Sequence, residues 1–330
     1  MGGRGMTRWV KGGLILATAD DSRACSHAML PTPHRMGDRL EVYFAACDAD
    51  MRGRIYAVDL VDDVPVPKVT GATRLVLDLG DPGDFDCDGV NPCQVVARGG
   101  EVFLYYIGWQ RGPAAVPYRL FVGLAVSRDQ GATYRKISRN PVLAPLSGED
   151  CFRTAAHIYP TPSGWAALYI GGDAFIDGQD GKRLPVYSLR RTTSKDGITW
   201  TEPGEILLSP DRARGEIGFG RPWLWHDDHG GAVLMLSVRT EQGYSLVEIG
   251  FDDENRLRRR TLIEPGAAGW DSGMVCFAAP CAGQGQELLF YNGNGFGRTG
   301  FGIARRPLVT PAPGTTDRLI EALSGIAKAA

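Results

Sequence analysis

Asp88-Gly89-Val90-Asn91-Pro92, followed by Val102-Phe103-Leu104-Tyr105-Tyr106 and then by Leu120-Phe121-Val122-Gly123-Leu124, is one unit of a pattern that recurs along the chain. A polar cluster comes first, then an apolar run, a turn, and further runs of the same kind. Upstream, Ser26-His27-Ala28 leads into Leu40-Glu41-Val42-Tyr43-Phe44 and Arg54-Ile55-Tyr56-Ala57-Val58. Downstream, Arg153-Thr154-Ala155 precedes the runs at 165–169 and 186–189, and Glu216 to Arg221-Pro222 precedes those at 232–236 and 244–247. Asp271-Ser272-Gly273-Met274 precedes Glu287-Leu288-Leu289-Phe290-Tyr291 and the run at 299–303. The leading clusters lie roughly 55–65 residues apart, against about 40–50 for common propeller repeats. That spacing suits four-stranded blades with long loops around a central channel. The repeat predicts an all-β chain, a five-bladed β-propeller with a short C-terminal helix. In such a fold the five leading clusters meet in one funnel.

The 44 glycines and 21 prolines among 330 residues fit a turn-dense β architecture better than a helical one. A net charge of −2 gives no electrostatic case for nucleic acid or an anionic membrane. Seven cysteines cannot all pair within one chain, and none has tight CxxC spacing, so reduced thiols are expected. The Leu14-Ile15-Leu16-Ala17 run is too short for a secretory core, and no stretch approaches the roughly 20 apolar residues of a membrane span. These features predict a cytoplasmic protein. Residues 1–12 are expected to be flexible, 13–310 to form the propeller, and 311–330 to form a tail. The run near Gly13-Leu14-Ile15-Leu16 is expected as the outer strand of the last blade. In the tail, residues 316–323 read as an amphipathic helix capped by Thr315 or Thr316 and packed outside the propeller.

Ser127-Arg128-Asp129-Gln130-Gly131-Ala132-Thr133-Tyr134 and Ser194-Lys195-Asp196-Gly197-Ile198-Thr199-Trp200 are near copies. Asp and Gly build the tight turn and the aromatic folds back, so both aspartates are assigned to structure.

Such turns, with Phe85-Asp86, Leu104-Tyr105-Tyr106-Ile107-Gly108-Trp109, Gly220-Arg221-Pro222-Trp223, Gly269-Trp270-Asp271-Ser272 and the motif at 291–302, resemble a superfamily of five-bladed propellers. These are glycoside hydrolase family 43 and its relatives, families 32, 68, 117 and 130. The nearest likeness is to glycosidase-like propellers of glycan-biosynthesis clusters. The resemblance implies three acids: a base or nucleophile on blade one, a pKa-tuning Asp on a middle blade and a general-acid Glu further on. It places the acid at Glu216 and makes Asp88 and Asp271 the other candidate carboxylates. Two carboxyl groups must flank the glycosidic bond, about 5–5.5 Å apart for retention or about 6.5–9.5 Å for inversion. The chain departs from the pattern at His27, where an Asp is expected, and at Gly273, where an acid often follows Trp-Asp-Ser.

His27 is therefore a candidate base, weighed against a hydrogen-bonded structural histidine. Arg221, Arg153 and Arg298 are candidates for a carboxylate or phosphate of the ligand, weighed against ion pairs between blades. His157 is a further binding candidate, and Trp109 and Trp270 are candidate stacking platforms. No metal or cofactor is expected beyond a structural cation in the channel. The expected partner is a sugar-like small molecule, handled by acid/base chemistry. A biosynthetic enzyme catalysing elimination, cyclisation or transfer on the same scaffold is the first alternative. A catalytically inactive carbohydrate-binding propeller is the second.

Overall fold

The computed structural model describes residues 9–178 and 181–329; residues 1–8 of the expected flexible terminus lie outside them. After β1 (Val10–Leu16) the chain lays down antiparallel meanders of four strands. The first comprises β2 (Ser26–Met36), β3 (Arg39–Cys47), β4 (Gly53–Val61) and β5 (Lys68–Leu77). The second comprises β6 (Gly89–Arg98), β7 (Glu101–Arg111), β8 (Tyr118–Ser127) and the short β9 (Arg135–Lys136). The third runs through β10 (Phe152–Thr161), β11 (Gly164–Asp177), β12 (Arg183–Ser194) and β13 (Glu205–Leu208). It shares a sheet with the second through a brief parallel pairing of Phe152 and Arg153 with Leu120 and Phe121. The fourth is β14 (Gly218–His226), β15 (Ala232–Thr240), β16 (Gly243–Phe251) and β17 (Leu257–Ile263). The last is β18 (Cys276–Ala282), β19 (Gln286–Asn292) and β20 (Phe301–Pro307), completed by β1 from the other end of the chain. First strands touch in a closed cycle, β2 to β6, β6 to β10, β10 to β14, β14 to β18 and β18 back to β2. This is a β-propeller.

The second strand of each meander reads as an unbroken apolar run because both of its faces are buried. Side chains alternate between faces. Val42 and Phe44 pack with Phe290 and Phe301 of the last meander, whereas Tyr43 packs with Leu104 and Tyr106 of the next. Likewise Phe103 and Tyr105 meet Ala167 and Tyr169, Leu168 and Ile170 meet Leu234 and Leu236, and Met235 meets Leu289 and Tyr291. The core is thus divided among the seams between meanders. The helix Thr315–Ala329, longer than its sequence pattern indicated, caps one seam from outside, with Leu319 and Leu323 fully buried in it.

Both Ser-x-Asp turns are tied by their own side chains. Ser127 Oγ and Ser194 Oγ donate to Asp129 and Asp196, and each carboxylate accepts backbone and hydroxyl bonds from Thr133 or Thr199. Those bonds hold the Asp129 carboxyl down at about 2.

An acid also stands before each of several inner strands, and the structure gives it a shared role. Asp86 accepts from Tyr106 Oη (2.9 Å) and pairs with Lys136 of β9 (2.7 Å). Asp271 accepts from Tyr291 Oη (3.0 Å) and pairs with Lys11 of β1 (2.7 Å). Glu149 accepts from Tyr169 Oη and pairs with Arg153 and Arg190, both at 2.7 Å. Glu216 pairs with Arg259 of β17 (2.7 Å) and accepts the Asp211 N–H (3.1 Å). Each acid pins the entry of an inner strand to strands further out in its own meander. Glu216→Gln is expected to lower unfolding free energy by about 1.5–3 kcal/mol, the worth of a hydrogen bond to a charged group. A urea midpoint equal to wild type would remove this role.

Candidate functional site

Inner strands open with bulges, and the bulges build the site. Pairing slips between Ser26 and Met29 in β2, Thr154 and His157 in β10, Gly220 and Trp223 in β14, and Cys276 and Ala279 in β18. In each slip one non-glycine residue takes a left-handed backbone: His27 (φ 68°), Ala155 (51°), Arg221 (44°) and Phe277 (57°). A bulge re-aims side chains at the cost of ladder hydrogen bonds. Neighbouring side chains accept several of the backbone N–H groups beside the bulges. Asn292 Oδ1 accepts from Leu30 N (2.7 Å), Ser237 Oγ from Phe277 N (2.8 Å) and Gln94 Oε1 from Ile158 N (2.5 Å).

All four bulge residues line a cavity of about 640 Å³ at the end of the channel where inner strands begin and second strands finish. Asp88, Asn91, Trp109, Arg111, Tyr118, Tyr187, Arg239 and Tyr244 also line it. Asp88 is the one carboxylate among the described lining residues, against the guanidinium groups of Arg111, Arg221 and Arg239. Asp88 Oδ2 accepts the Arg111 N–H at 2.8 Å. His27 Nδ1 meets Ser26 Oγ at 2.8 Å, and burial with the nearby Arg298 charge lowers its pKa, which favours the neutral, proton-accepting ring.

Arg221 is 3% exposed. Its Nη2 donates to Pro31 O (2.9 Å) and Thr32 Oγ1 (2.7 Å), while Nε and Nη1 are buried without a hydrogen-bond partner. No ion pair forms at Arg221 among the described residues; it faces the Trp223 ring (5.5 Å) and the neutral thiols of Cys93 and Cys276. Burial pushes its pKa down to about 9. A cation left so is costly unless an anion joins it.

Four expected site residues therefore converge: His27, Asp88, Arg221 and Trp109. Trp109 lies against Tyr118 (4.8 Å, 36°), and with the Asn91 amide turned to satisfy both neighbours its Nε1 donates to Oδ1 (2.9 Å). The others are placed elsewhere. Glu216 and Asp271 are held in the ion pairs with Arg259 and Lys11 and do not line the cavity. Arg153 is wholly buried, paired with Glu149 and donating to Ala144 O and Glu202 O. Trp270 lies on Tyr291 (5.1 Å) and over Gly302, where a Cβ would come within 2.3 Å of the indole. Arg298 is exposed outside the lining and bears on the site through its charge on His27. His157 sits behind it, against Trp223 (5.0 Å).

His34 and His157 carry a pH signature. Burial, with Arg39 beside the first and Arg221 beside the second, pushes them down to about 4 and about 3. An unfolded histidine titrates near 6.5. Below that pH the unfolded chain binds more protons, so stability falls as pH drops from about 6.5 towards these values. The slope is up to about 1.4 kcal/mol per pH unit for each ring. Urea midpoints are expected to be lower at pH 5 than at pH 7.5, and His157→Gln to shrink the difference. Equal midpoints would contradict neutral burial of these rings.

Arg239, Tyr187 and Tyr244 escaped sequence reasoning. Arg239 Nη1 donates to Tyr187 Oη (2.8 Å), Tyr187 Oη meets Tyr244 Oη (3.1 Å), and the guanidinium lies over both rings. Their signal was positional: like Trp109, Arg239 ends a second strand opposite the start of an inner one, and the facing pair here is Gly218 and Arg239.

Among the described residues, no group of three or more His, Cys, Asp or Glu side chains is placed to hold a metal ion. None of their helices is long and apolar enough to cross a membrane. No family model matches the chain. It is 28% identical over 311 residues to uncharacterized protein Rv1502 of Mycobacterium tuberculosis (strain ATCC 25618 / H37Rv), covering 90% of this chain and 98% of that one. Among solved structures it is similar to a glycoside hydrolase, with TM-score 0.68, 18% identity and coverage of 93% and 94% of the two chains. It is also similar to a structure described under the GH130 family of mannoside phosphorylases and glycoside hydrolases, with TM-score 0.61, 12% identity and coverage of 94% and 97%. The fold is glycosidase-like.

Proposed function

We propose that the cavity binds a sugar-like small molecule bearing an anionic group, and that Asp88 and His27 carry proton transfers on it. The observation behind this reading is Arg221, a buried cation on the cavity wall with two nitrogens unpartnered. Arg239 and Arg111 add positive charge to the same lining. Hydrolysis by a flanking pair of acids needs two carboxyl groups, and the described lining offers Asp88 alone. Transfer or elimination on an anionic sugar, with one carboxylate and one neutral imidazole, suits the residues present better. The same single carboxylate favours a second reading, a propeller that binds such a molecule without turning it over.

Calorimetry with glucose 1-phosphate and glucose tests the shared part. The phosphate ester is expected to bind and the neutral sugar to bind far more weakly, with affinity falling as salt rises. Equal binding of the two would discard the anion-site reading.

A further inference from the structure

Two residues at the mouth of the cavity are unexplained by an anion site. Met51, in the turn between β3 and β4, and Phe296, in the turn between β19 and β20, both line the cavity and both have φ of 61°. They are 56% and 42% exposed. A left-handed backbone is sterically disfavoured for any residue with a Cβ, and glycine relieves it. Phe296 makes the contrast plain, because Gly295 and Gly297 on either side are also left-handed, at 61° and 96°. A large apolar side chain kept on such a backbone and half in water gains little from burial within the protein. Residues held on strained backbone cluster at active sites and ligand clamps.

The adjoining wall is aromatic. Phe296 meets Tyr244 edge-on (5.7 Å, 90°), and Tyr244 meets Phe277 (5.2 Å, 57°). Trp109 and Tyr118 form a second such pair. Arg221, by contrast, is buried. The cavity therefore offers a buried cation at its closed end and, beside the exposed Arg111, apolar and ring surface at its open end.

We infer that the ligand is amphiphilic, with its anionic group inward on Arg221 and a flat apolar ring at the mouth against Phe296 and Met51. This rests on the anion site proposed above and adds the substrate class: an anionic sugar carrying a ring substituent. Ring faces pair well with aromatic side chains in offset or edge-on geometry.

Methyl phosphate and phenyl phosphate separate the two ends, with binding followed by calorimetry on the full chain. Phenyl phosphate is expected to bind about 10–100-fold more tightly, the worth of burying one ring. In Phe296→Asn, whose side chain tolerates a left-handed backbone, that advantage is expected to fall at least tenfold while methyl phosphate affinity and melting temperature stay as in wild type. Met51→Gly is expected to act in the same direction. Equal binding of the two phosphates by wild type overturns the ring site and leaves the anion site standing. Binding of neither overturns both. An undiminished phenyl advantage in Phe296→Asn and Met51→Gly removes these side chains from the ligand.

Discussion

Asp88→Asn is expected to lower turnover of an anionic sugar substrate by about 10²–10⁴-fold, the usual contribution of a positioned acid or base. The substitution keeps the size of the side chain and an oxygen to accept the Arg111 N–H, so the local backbone has no reason to move. It removes the one carboxylate of the described lining. Ligand affinity is expected to change little, because the proposed anion site rests on guanidinium groups elsewhere in the cavity. Glu216→Gln serves as the contrast. Its carboxylate belongs to Arg259 and to the entry of β14, so it is expected to cost stability and leave turnover as it was. A folded Asp88→Asn protein with wild-type turnover, or a Glu216→Gln protein that folds but has lost it, would reverse the assignment.

Arg221→Met is expected to move affinity and stability in opposite directions. Affinity for glucose 1-phosphate is expected to drop about 10²–10³-fold, as when one partner of a buried charged pair is truncated. Unfolding free energy in the absence of ligand is expected to stay level or rise by up to about 2 kcal/mol, because a buried ion replaced by an apolar side chain of similar volume often relieves desolvation. The bonds lost, to Pro31 O and Thr32 Oγ1, offset part of that gain. Denaturant titration and calorimetry on one preparation check both halves. A loss of stability without a loss of affinity would mean that Arg221 is a strut between β14 and β2.

The strands and the Ser-x-Asp turns were legible because their signals are local: alternation, apolar runs and turn residues within a few positions. His27, Asp88, Arg221 and Trp109 were legible as residues at the start of inner strands or the end of a second strand. Glu216 and Asp271 misled for the same reason. A carboxylate at an equivalent place in successive repeats looks like a converging acid, and nothing local distinguishes it from one bonded to a strand further out. Its partner is remote in sequence: Lys11 lies 260 residues from Asp271. Arg153 was misleading in the opposite way, since its partner Glu149 is only four residues away. Arg239, Tyr187 and Tyr244 lie on second and third strands, away from the polar clusters that lead each repeat, and strand parity hid Ala155 and Phe277. A single-residue bulge inverts which side chains face the channel, and four inner strands carry a left-handed one at their entrance.

Strand β1 pairs with β20, joining Val10 to Arg305 and Leu16 to Phe301. A ribosome therefore makes β1 before, and β20 after, every other strand of the propeller. Until β20 is made β1 has no mate in the propeller, and an unpaired edge is where aberrant pairing begins. Only once β20 emerges can Lys11 reach Asp271 and the last seam shut. Phe277 and Phe296 of the cavity lining belong to this last meander, so one side of the cavity rests on the strand pairing that closes the ring.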